Sequence, residues 1–292
     1  MRVSPIIALT CLALVSCSPR ASEATATSLV ASVYPAAFIA ERIASSEASV
    51  QNLTPPGVEP HDLELDPFAI EDISTASVVV YIGQGFQPAV ETAVTQDASG
   101  ITVDVLPKAG LLHDGDTADP HFWLSPARML VAADEVEAAL VEADPANADR
   151  YHASAQALRA DLGSLDEDYR NGLAQCERYT IVTAHAAFAY LANDYGLEQE
   201  AIAGISPDSE PDPARVTELA SLVQDEGVTT VFTETLVSAK VADMLASEAG
   251  VKVAVLNPIE GLTQSQVDAG EDYLSVMRRN LTTLQEALGC SA

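Results

Sequence analysis

Two stretches of the chain alternate short apolar runs with amphipathic helical patterns, and this alternation constrains the fold more than any other feature. In the first stretch the runs SLVASVYP, SVVVYIG and ITVDVL accompany the helical patterns AAFIAERIASS and FAIEDISTA. After residue 175 the alternation resumes with YTIVTA, EAIAGI, TTVFTET and VKVAVLN, each followed by a helical pattern. Such alternation is typical of parallel sheets flanked by helices. We therefore predict an α/β protein of two lobes, residues 28–145 and 176–292.

The segment between the lobes, residues 146–175, carries one long helical pattern. A helix of this length extends ~45 Å at 1.5 Å per residue, so it can connect two lobes as a rigid element. Ligands of open α/β sheets bind outside the carboxyl ends of the strands. Two facing lobes are therefore expected to share one binding cleft.

The N-terminus has the features of an export signal. Arg2 precedes an apolar stretch and small residues that end in LVSC, which looks like a bacterial lipobox. The apolar run is too short to span ~30 Å of hydrocarbon. We expect a signal peptide over residues 1–16, lipid attachment at Cys17, a tether over residues 17–27, and an exported, membrane-anchored protein of the bacterial cell envelope. The alternative is a plain secretory signal, cleaved a few residues later.

The cysteine count indicates one disulfide. Of four cysteines, Cys11 and Cys17 belong to the signal region, which leaves Cys176 and Cys290. A lone pair of cysteines in an exported, oxidising setting is more often bridged than free. We predict a disulfide that ties the C-terminal helix to the start of the second lobe.

The charge balance excludes one class of partner. The chain has 14 Lys and Arg against 43 Asp and Glu, a net charge of -29. Such a surface repels phosphate backbones, so nucleic-acid binding is not expected. The acidity is spread along the chain, which favours a solvated surface, although it can also attract metal cations. We expect a monomer.

Three of the five histidines fall in loops or at strand ends, namely His61, His121 and His185. Taken singly, each is more often an ordinary hydrogen-bonded histidine than a metal ligand. Three neutral imidazoles that converge on the cleft would instead form the tetrahedral nitrogen site that zinc favours. His113 is expected in a solvated loop, and His152, on the long helix, is expected to be structural.

Several motifs occur in a characteristic order: GVEPHDLELDP, SVVVYIGQGF, DPHFWLSP, TAHAAFAYLANDYGL, ISPDSEPDPARV and VFTETLVSAKVADMLASEAGVKV. In this order the chain resembles the zinc/manganese solute-binding proteins of bacterial ABC importers, the cluster A-I family, over nearly its whole mature length. The resemblance implies two α/β lobes joined by a rigid long helix, a metal ion held between them, and delivery of that ion to an ABC permease. It implies His61, His121 and His185 as ligands. Zinc members carry histidine at the third position and manganese or iron members glutamate, so Zn²⁺ is favoured.

The fourth ligand position stays open. Where the family tends to show an aspartate, this chain has Asn257, which offers only a neutral carbonyl oxygen. Water, Asn257, Glu234 or Glu260 can fill the position, and Glu234 is equally suited to accept a hydrogen bond from an imidazole N–H. Because of Asn257, a Mn²⁺ or Fe²⁺ carrier of the same fold is kept as an alternative.

A different class of function also has to be weighed. Catalytic zinc commonly has three protein ligands and a water, so three histidines are compatible with a zinc-dependent hydrolase. The sequence contains no H-E-x-x-H motif, nucleophile elbow or glycine-rich phosphate loop. We therefore expect a binding protein and not an enzyme.

Overall fold

The structure is a computed structural model, and it describes residues 27–207 and 212–291. The predicted signal peptide, the Cys17 attachment site and the tether up to residue 26 lie outside the described residues. Within these ranges, none of the helices combines the length and the apolar character needed to cross a bilayer.

The described chain folds into ten strands and ten α-helices. The strands are β1 (Ser28–Ala31), β2 (Ser49–Asn52), β3 (Val78–Tyr81), β4 (Ile101–Asp104), β5 (His113–Asp114), β6 (Thr117–Ala118), β7 (Thr180–Thr183), β8 (Glu198–Ala201), β9 (Thr230–Thr233) and β10 (Lys252–Val255). The helices are α1 (Tyr34–Ala44), α2 (Pro67–Thr75), α3 (Pro88–Asp97), α4 (Pro126–Ala143), α5 (Ala148–Gly172), α6 (Ala189–Tyr195), α7 (Pro213–Asp225), α8 (Lys240–Ala249), α9 (Gln264–Asp268) and α10 (Tyr273–Leu288).

Two parallel four-stranded sheets form the centres of the two lobes. The N-terminal sheet has the order β2-β1-β3-β4 and the C-terminal sheet the order β10-β9-β7-β8. A small antiparallel hairpin, β5–β6, projects from the connection between β4 and α4. The predicted fold class, two α/β lobes, is confirmed.

Several helices begin where the sequence supplies an acceptor and a proline. Asp66, Ser125 and Asp212 each precede a proline, and each side chain accepts a backbone N–H of the first turn of α2, α4 or α7. These caps satisfy donors that have no partner within the helix, and proline fits the first helical position because its missing N–H is not needed there. Such local signals set the ends of the loops that lead into these helices.

Among the eight strands of the two main sheets, two differ from the sequence prediction, and both lie at sheet edges. β2 was not predicted, since SVQN is polar and alternates exposed with half-buried residues. The strand predicted over EAIAGI is instead β8, which starts earlier, at Glu198, and also has no fully buried residue. Continuous apolar runs are expected only in strands covered on both faces.

The long helix α5 extends over 25 residues, from Ala148 to Gly172, and is shorter than the predicted 146–175. Residues 145–147 form a separate 3-10 turn, and Leu173 ends the helix. One face of α5 is buried, at residues Tyr151, Ala155, Leu158, Leu162, Leu165 and Tyr169. This face packs against α1 and α4 of the first lobe and α10 of the second. The apolar core continues along α5 from one lobe to the other, so the core does not mark where one lobe ends and the next begins. The lobe boundaries given from the sequence therefore stay a prediction.

The two cysteines expected to pair lie at the ends of α5 and α10. The sulfur atoms of Cys176 and Cys290 are 2.00 Å apart, so the structure contains this bond, across a sequence separation of 114 residues. The backbone N–H of Ser291 also donates to the carbonyl oxygen of Gln175. The last residues of the chain are thereby attached to the start of the second lobe.

An ion pair fastens α4 of the first lobe to α6 of the second. The Arg128 guanidinium donates to both carboxylate oxygens of Asp194, at 2.8 and 2.9 Å, and Ser125 Oγ donates to the same carboxylate at 2.7 Å. Arg128 also lies 4.7 Å from the ring centroid of Tyr190. Both charged side chains are mostly buried. The cluster is therefore a bidentate, partly desolvated contact between the lobes.

We expect Asp194→Asn to lower the free energy of unfolding by about 1.5–3 kcal/mol, the contribution typical of hydrogen bonds to charged groups. Lys108→Gln, which removes an exposed ion pair with Glu135, is the control and should change the free energy of unfolding by less than about 1 kcal/mol.

The contribution of this ion pair should depend on pH. Burial raises the pKa of Asp194, but hydrogen bonds from Arg128 and Ser125 outweigh burial and lower it. The stabilisation is present above the unfolded-state pKa and is lost as pH falls through the folded-state pKa. Urea unfolding at neutral and acidic pH should therefore show a smaller difference in acid; equal stability of Asp194→Asn and wild type at neutral pH would contradict this account.

Candidate metal centre

Four side chains meet where the carboxyl ends of the two sheets face each other. His61 lies in the connection from β2 to α2, and His121 in the connection from β4 to α4, directly before a 3-10 turn over Phe122–Leu124. His185 follows β7, and Glu260 follows β10. Each lobe therefore contributes two of the four residues, all from loops that follow parallel strands, as expected for open α/β sheets.

The four side chains converge through single atoms. Glu260 Oε1 lies 3.3 Å from His61 Nε2, 3.0 Å from His121 Nε2 and 3.2 Å from His185 Nε2. The Nε2 atoms of His121 and His185 are 3.3 Å apart. All four atoms lie within 4.8 Å of one another. An ion bound at about 2.0–2.1 Å in a tetrahedron separates its ligand atoms by about 3.4 Å, so the atoms are spaced for a small tetrahedral cation.

The site is shielded from solvent. His121, His185 and Glu260 are buried, while the His61 side chain is 8% exposed. A pocket of about 380 Å³ lies next to the cluster, and His61 lines it together with Phe86, Asp114 and Gly204. A larger groove of about 640 Å³, beside α6 and β8, is lined by none of the four residues. Of the four side chains, His61 is therefore the one that faces an opening to solvent.

Two carboxylates outside the cluster hold the imidazoles in place. Asp119 Oδ1 lies 2.7 Å from His121 Nδ1 and also accepts the His121 backbone N–H at 2.9 Å. Glu234 Oε1 lies 2.6 Å from His185 Nδ1 and accepts the His185 backbone N–H at 3.1 Å. A proton on Nδ1 that is shared with a carboxylate leaves the Nε2 lone pair directed into the cluster. The geometry thus favours the tautomer that a metal ligand needs.

Asp119 was not singled out by sequence analysis. Its signal was the spacing in DPH, because a carboxylate two residues before a histidine can accept both the backbone and the ring N–H of that histidine. The structure places Glu234 at the outer nitrogen of His185, and Glu260 within the cluster. Asn257 lies outside it, since its Oδ1 accepts the backbone N–H of Ile259.

The other two histidines lie elsewhere. His113 is exposed on β5. His152 Nδ1 lies 2.6 Å from Glu137 Oε1, in a contact between α5 and α4. The structure therefore separates these residues from the convergent group.

The cluster has an unusual charge state without a metal. Burial lowers the pKa of His185, but hydrogen bonds and charge from Glu234 and Glu260 outweigh it and raise the pKa to about 10. The pKa of His121 is likewise raised, because Asp119 and Glu260 outweigh burial, whereas burial lowers the pKa of His61. Burial also opposes ionisation of Glu260, but the three imidazoles hold its pKa well below the ordinary value. The ionised Glu260 carboxylate thus favours positive charge at the cluster, whether it is carried by the protons of His121 and His185 or by a bound cation.

Two facing α/β lobes with a buried cluster of three imidazoles and one carboxylate between them have the architecture of a solute-binding protein with a candidate metal site. The family described as "Zinc-uptake complex component A periplasmic" (ZnuA) matches residues 29–287, and the chain belongs to this family. This confirms the resemblance to the solute-binding proteins of bacterial metal ABC importers, proteins that work with ABC permeases.

Characterised relatives match most of the chain. The high-affinity zinc uptake system protein ZnuA of Bacillus subtilis (strain 168) is 33% identical over 306 residues, which cover 97% of this chain and 96% of that protein. The zinc-binding lipoprotein AdcA of Streptococcus pneumoniae (strain R6) is 35% identical over 98% of this chain. The chain spans only 60% of that relative, and 55% of the zinc-binding protein AdcA of Streptococcus pyogenes.

Solved structures have the same fold. The Zn(II)-bound ZnuA-like domain of Streptococcus pneumoniae AdcA superposes with a TM-score of 0.80 at 36% identity, covering 90% of this chain and 98% of that domain. The metal-dependent lipoprotein YcdH of Bacillus subtilis also gives a TM-score of 0.80, at 34% identity, over 90% of this chain and 99% of that chain. The likeness thus extends over both lobes.

Proposed function

We propose that this protein captures Zn²⁺ outside the cytoplasmic membrane, holds it between its lobes with His61, His121, His185 and Glu260, and delivers it to an ABC permease. The observation that carries the proposal is the convergence of the four donor atoms, which lie 3.0–3.3 Å apart in four of their six pairs and all within 4.8 Å of one another. Relatives described as zinc-binding and zinc-uptake proteins support the choice of ion.

The donor set favours zinc over the harder divalent ions. Imidazole suits zinc, whereas Mn²⁺ prefers carboxylates, carbonyls and water. Three of the four donors are imidazoles, and Asn257 adds no oxygen to the cluster because its side chain is bonded to its own loop. A Mn²⁺ carrier of the same fold is therefore the weaker proposal, and against Fe²⁺, which imidazole also suits, the relatives described as zinc-binding proteins favour zinc.

The number of donors also argues for carriage and against catalysis. Catalytic zinc has three protein ligands and keeps an open position for water, while closed sites have four protein ligands. With Glu260 as the fourth ligand, the tetrahedron is filled by the chain itself. A zinc hydrolase has no place for the attacking water here, and we propose that the protein makes and breaks no covalent bond.

We also propose the cellular arrangement that the sequence predicts. Residues 1–16 are removed on export, lipid is attached to Cys17, and residues 17–27 tether the N-terminal lobe (28–145), the linker helix (146–175) and the C-terminal lobe (176–292) to the membrane. The protein acts as a monomer beside its permease. The family's periplasmic description supports export, and the lipoprotein AdcA supports the anchor.

Titration of the metal-stripped protein tests the proposal. Native mass spectrometry should show one Zn²⁺ per chain, and calorimetry should show that Mn²⁺ binds more weakly under the same conditions. A chain that binds no zinc, or that binds manganese as tightly as zinc, would overturn the assignment.

Zinc affinity is expected to fall as the pH falls, since Zn²⁺ binds only neutral imidazole. The raised pKa of His185, about 10, indicates that this ring carries both of its protons in the metal-free protein at neutral pH, so zinc binding is expected to release the one on Nε2. Calorimetry in buffers with different ionisation enthalpies counts the released protons. We expect net proton release near neutral pH and weaker binding at pH 5 than at pH 8; constant affinity over this range would contradict the three-imidazole site.

A further inference from the structure

We propose that Asn257 and Trp123 are positioning residues that hold the Glu260 carboxylate at the metal site, and so set the zinc affinity without contacting the ion. The inference rests on the proposed function, because it concerns the fourth ligand of that site. It assigns a task to the chain's single tryptophan and to the residue that stands where an aspartate was expected.

The loop that carries Glu260 has a backbone conformation that its own sequence disfavours. Ile259 is fully buried and has a φ of 56°, in the left-handed region. A β-branched residue rarely adopts this conformation, and it persists only where the surroundings enforce it. Because Ile259 directly precedes Glu260, its conformation sets the direction in which the carboxylate points.

Asn257 makes one of the contacts that hold Ile259 in this left-handed conformation. Its Oδ1 accepts the backbone N–H of Ile259 at 2.8 Å, which closes a turn over residues 257–259. Asn280 on α10 holds the first residue of this turn through two hydrogen bonds. Its Oδ1 accepts the Asn257 N–H at 3.0 Å, and its Nδ2 donates to the Asn257 carbonyl oxygen at 2.7 Å. Both asparagines are buried, so water does not replace these bonds.

Trp123 secures the same loop from the other lobe. Its indole N–H donates to the Pro258 carbonyl oxygen at 2.7 Å, and its own carbonyl accepts the Tyr273 hydroxyl at 2.6 Å. Its ring centroid lies 5.1 Å from that of His121, two residues earlier in the chain. The loop that carries Glu260 is thereby tied to the segment that carries His121.

This arrangement prepares the carboxylate for the ion. A ligand held in the bound geometry loses little freedom when the ion arrives, which favours tight binding. Loss of the Asn257 acceptor or of the Trp123 N–H releases the strained turn, and Glu260 then no longer lies 3.0–3.3 Å from all three imidazoles. The affinity should fall by about 10- to 100-fold, as for other residues that orient metal ligands.

The experiment compares Asn257→Ala with the conservative Asn257→Asp, which keeps the acceptor oxygen, in the full mature chain. Zinc affinity is measured by competition with a chelator, and the Co²⁺-loaded protein reports ligand geometry through its visible absorption. We expect about 10- to 100-fold weaker zinc binding and an altered cobalt spectrum for Asn257→Ala, with most of the affinity and the wild-type spectrum restored in Asn257→Asp. Wild-type affinity and an unchanged spectrum in Asn257→Ala would overturn the inference.

Two further variants keep the test decisive. Tyr169→Phe is the control. It removes a buried hydrogen bond from the Tyr169 hydroxyl to the Met277 carbonyl on α10, the helix that also carries Asn280. Because this bond does not involve the loop over residues 257–260, zinc affinity should stay unchanged although the free energy of unfolding falls. If Asn257→Ala does not fold, Trp123→Phe carries the test, since it keeps an aromatic ring, although a smaller one than indole, and removes the N–H; wild-type affinity there would also overturn the inference. Failure of the wild type to bind zinc would instead refute the proposed function, so the two failures are distinguishable.

Discussion

His121→Ala is expected to lower zinc affinity by more than about 100-fold, because loss of a residue that merely orients a ligand already costs about 10- to 100-fold. His121 is fully buried, its Nε2 lies 3.0 Å from Glu260 and 3.3 Å from His185, and its Nδ1 is held by Asp119. Alanine therefore removes one ligand and leaves the Asp119 carboxylate buried without its ring partner. Calorimetric titration of the metal-stripped variant with Zn²⁺ measures the loss.

His152→Ala is the matched control for this variant. It also removes an imidazole that is hydrogen-bonded to a carboxylate, that of Glu137, but this pair lies at the contact between α5 and α4. Its zinc affinity should equal that of the wild type. Binding by His121→Ala within threefold of the control would show that His121 is not a ligand.

The second large effect concerns stability. Replacing both Cys176 and Cys290 by serine opens a loop with a sequence separation of 114 residues, and we expect the free energy of unfolding to fall by about 4–5 kcal/mol, as chain entropy predicts for a loop of this size. Urea unfolding should be followed on the metal-free protein, because bound zinc stabilises the folded state by itself.

The oxidised and reduced wild type provide the control for this measurement. The reduced wild type should match the double serine variant, and the oxidised form should be more stable than both. A difference between oxidised wild type and variant below about 1 kcal/mol would mean that the bond contributes little, and that the C-terminal segment is held by the packing of α10 alone.

The sequence predicted the strands that carry mainly apolar residues, including the partly exposed edge strands β4 and β10. The strand β3 was recognised because VVVY lies between two layers of helices and is apolar throughout. β2 was missed and β8 was misplaced because edge strands, half open to solvent, are free to carry polar residues. Whether a strand is apolar throughout or carries polar residues thus depends on its position in the sheet, and the sequence does not give that position directly.

The residues of the candidate site could also be proposed only in part from the sequence. The three histidines could be proposed as ligands because they fall in loops or at a strand end, and because the motifs around them resemble those of the metal solute-binding proteins. The fourth position stayed open because the loop from Asn257 to Glu260 reaches the cluster only through a left-handed residue, Ile259, and a hydrogen bond from Trp123, more than 130 positions away. Neither feature has a local sequence signal, so the sequence alone left the choice among water, Asn257, Glu234 and Glu260 open.

X-ray absorption spectroscopy of the zinc-loaded protein is the sharpest test of the three-histidine, one-carboxylate site, because it reports the atoms bound to the ion. We expect four ligands at about 2.0–2.1 Å, three of them imidazoles and one a carboxylate oxygen, with no sulfur. A spectrum with one imidazole or none, with sulfur, or with six oxygen ligands would contradict it.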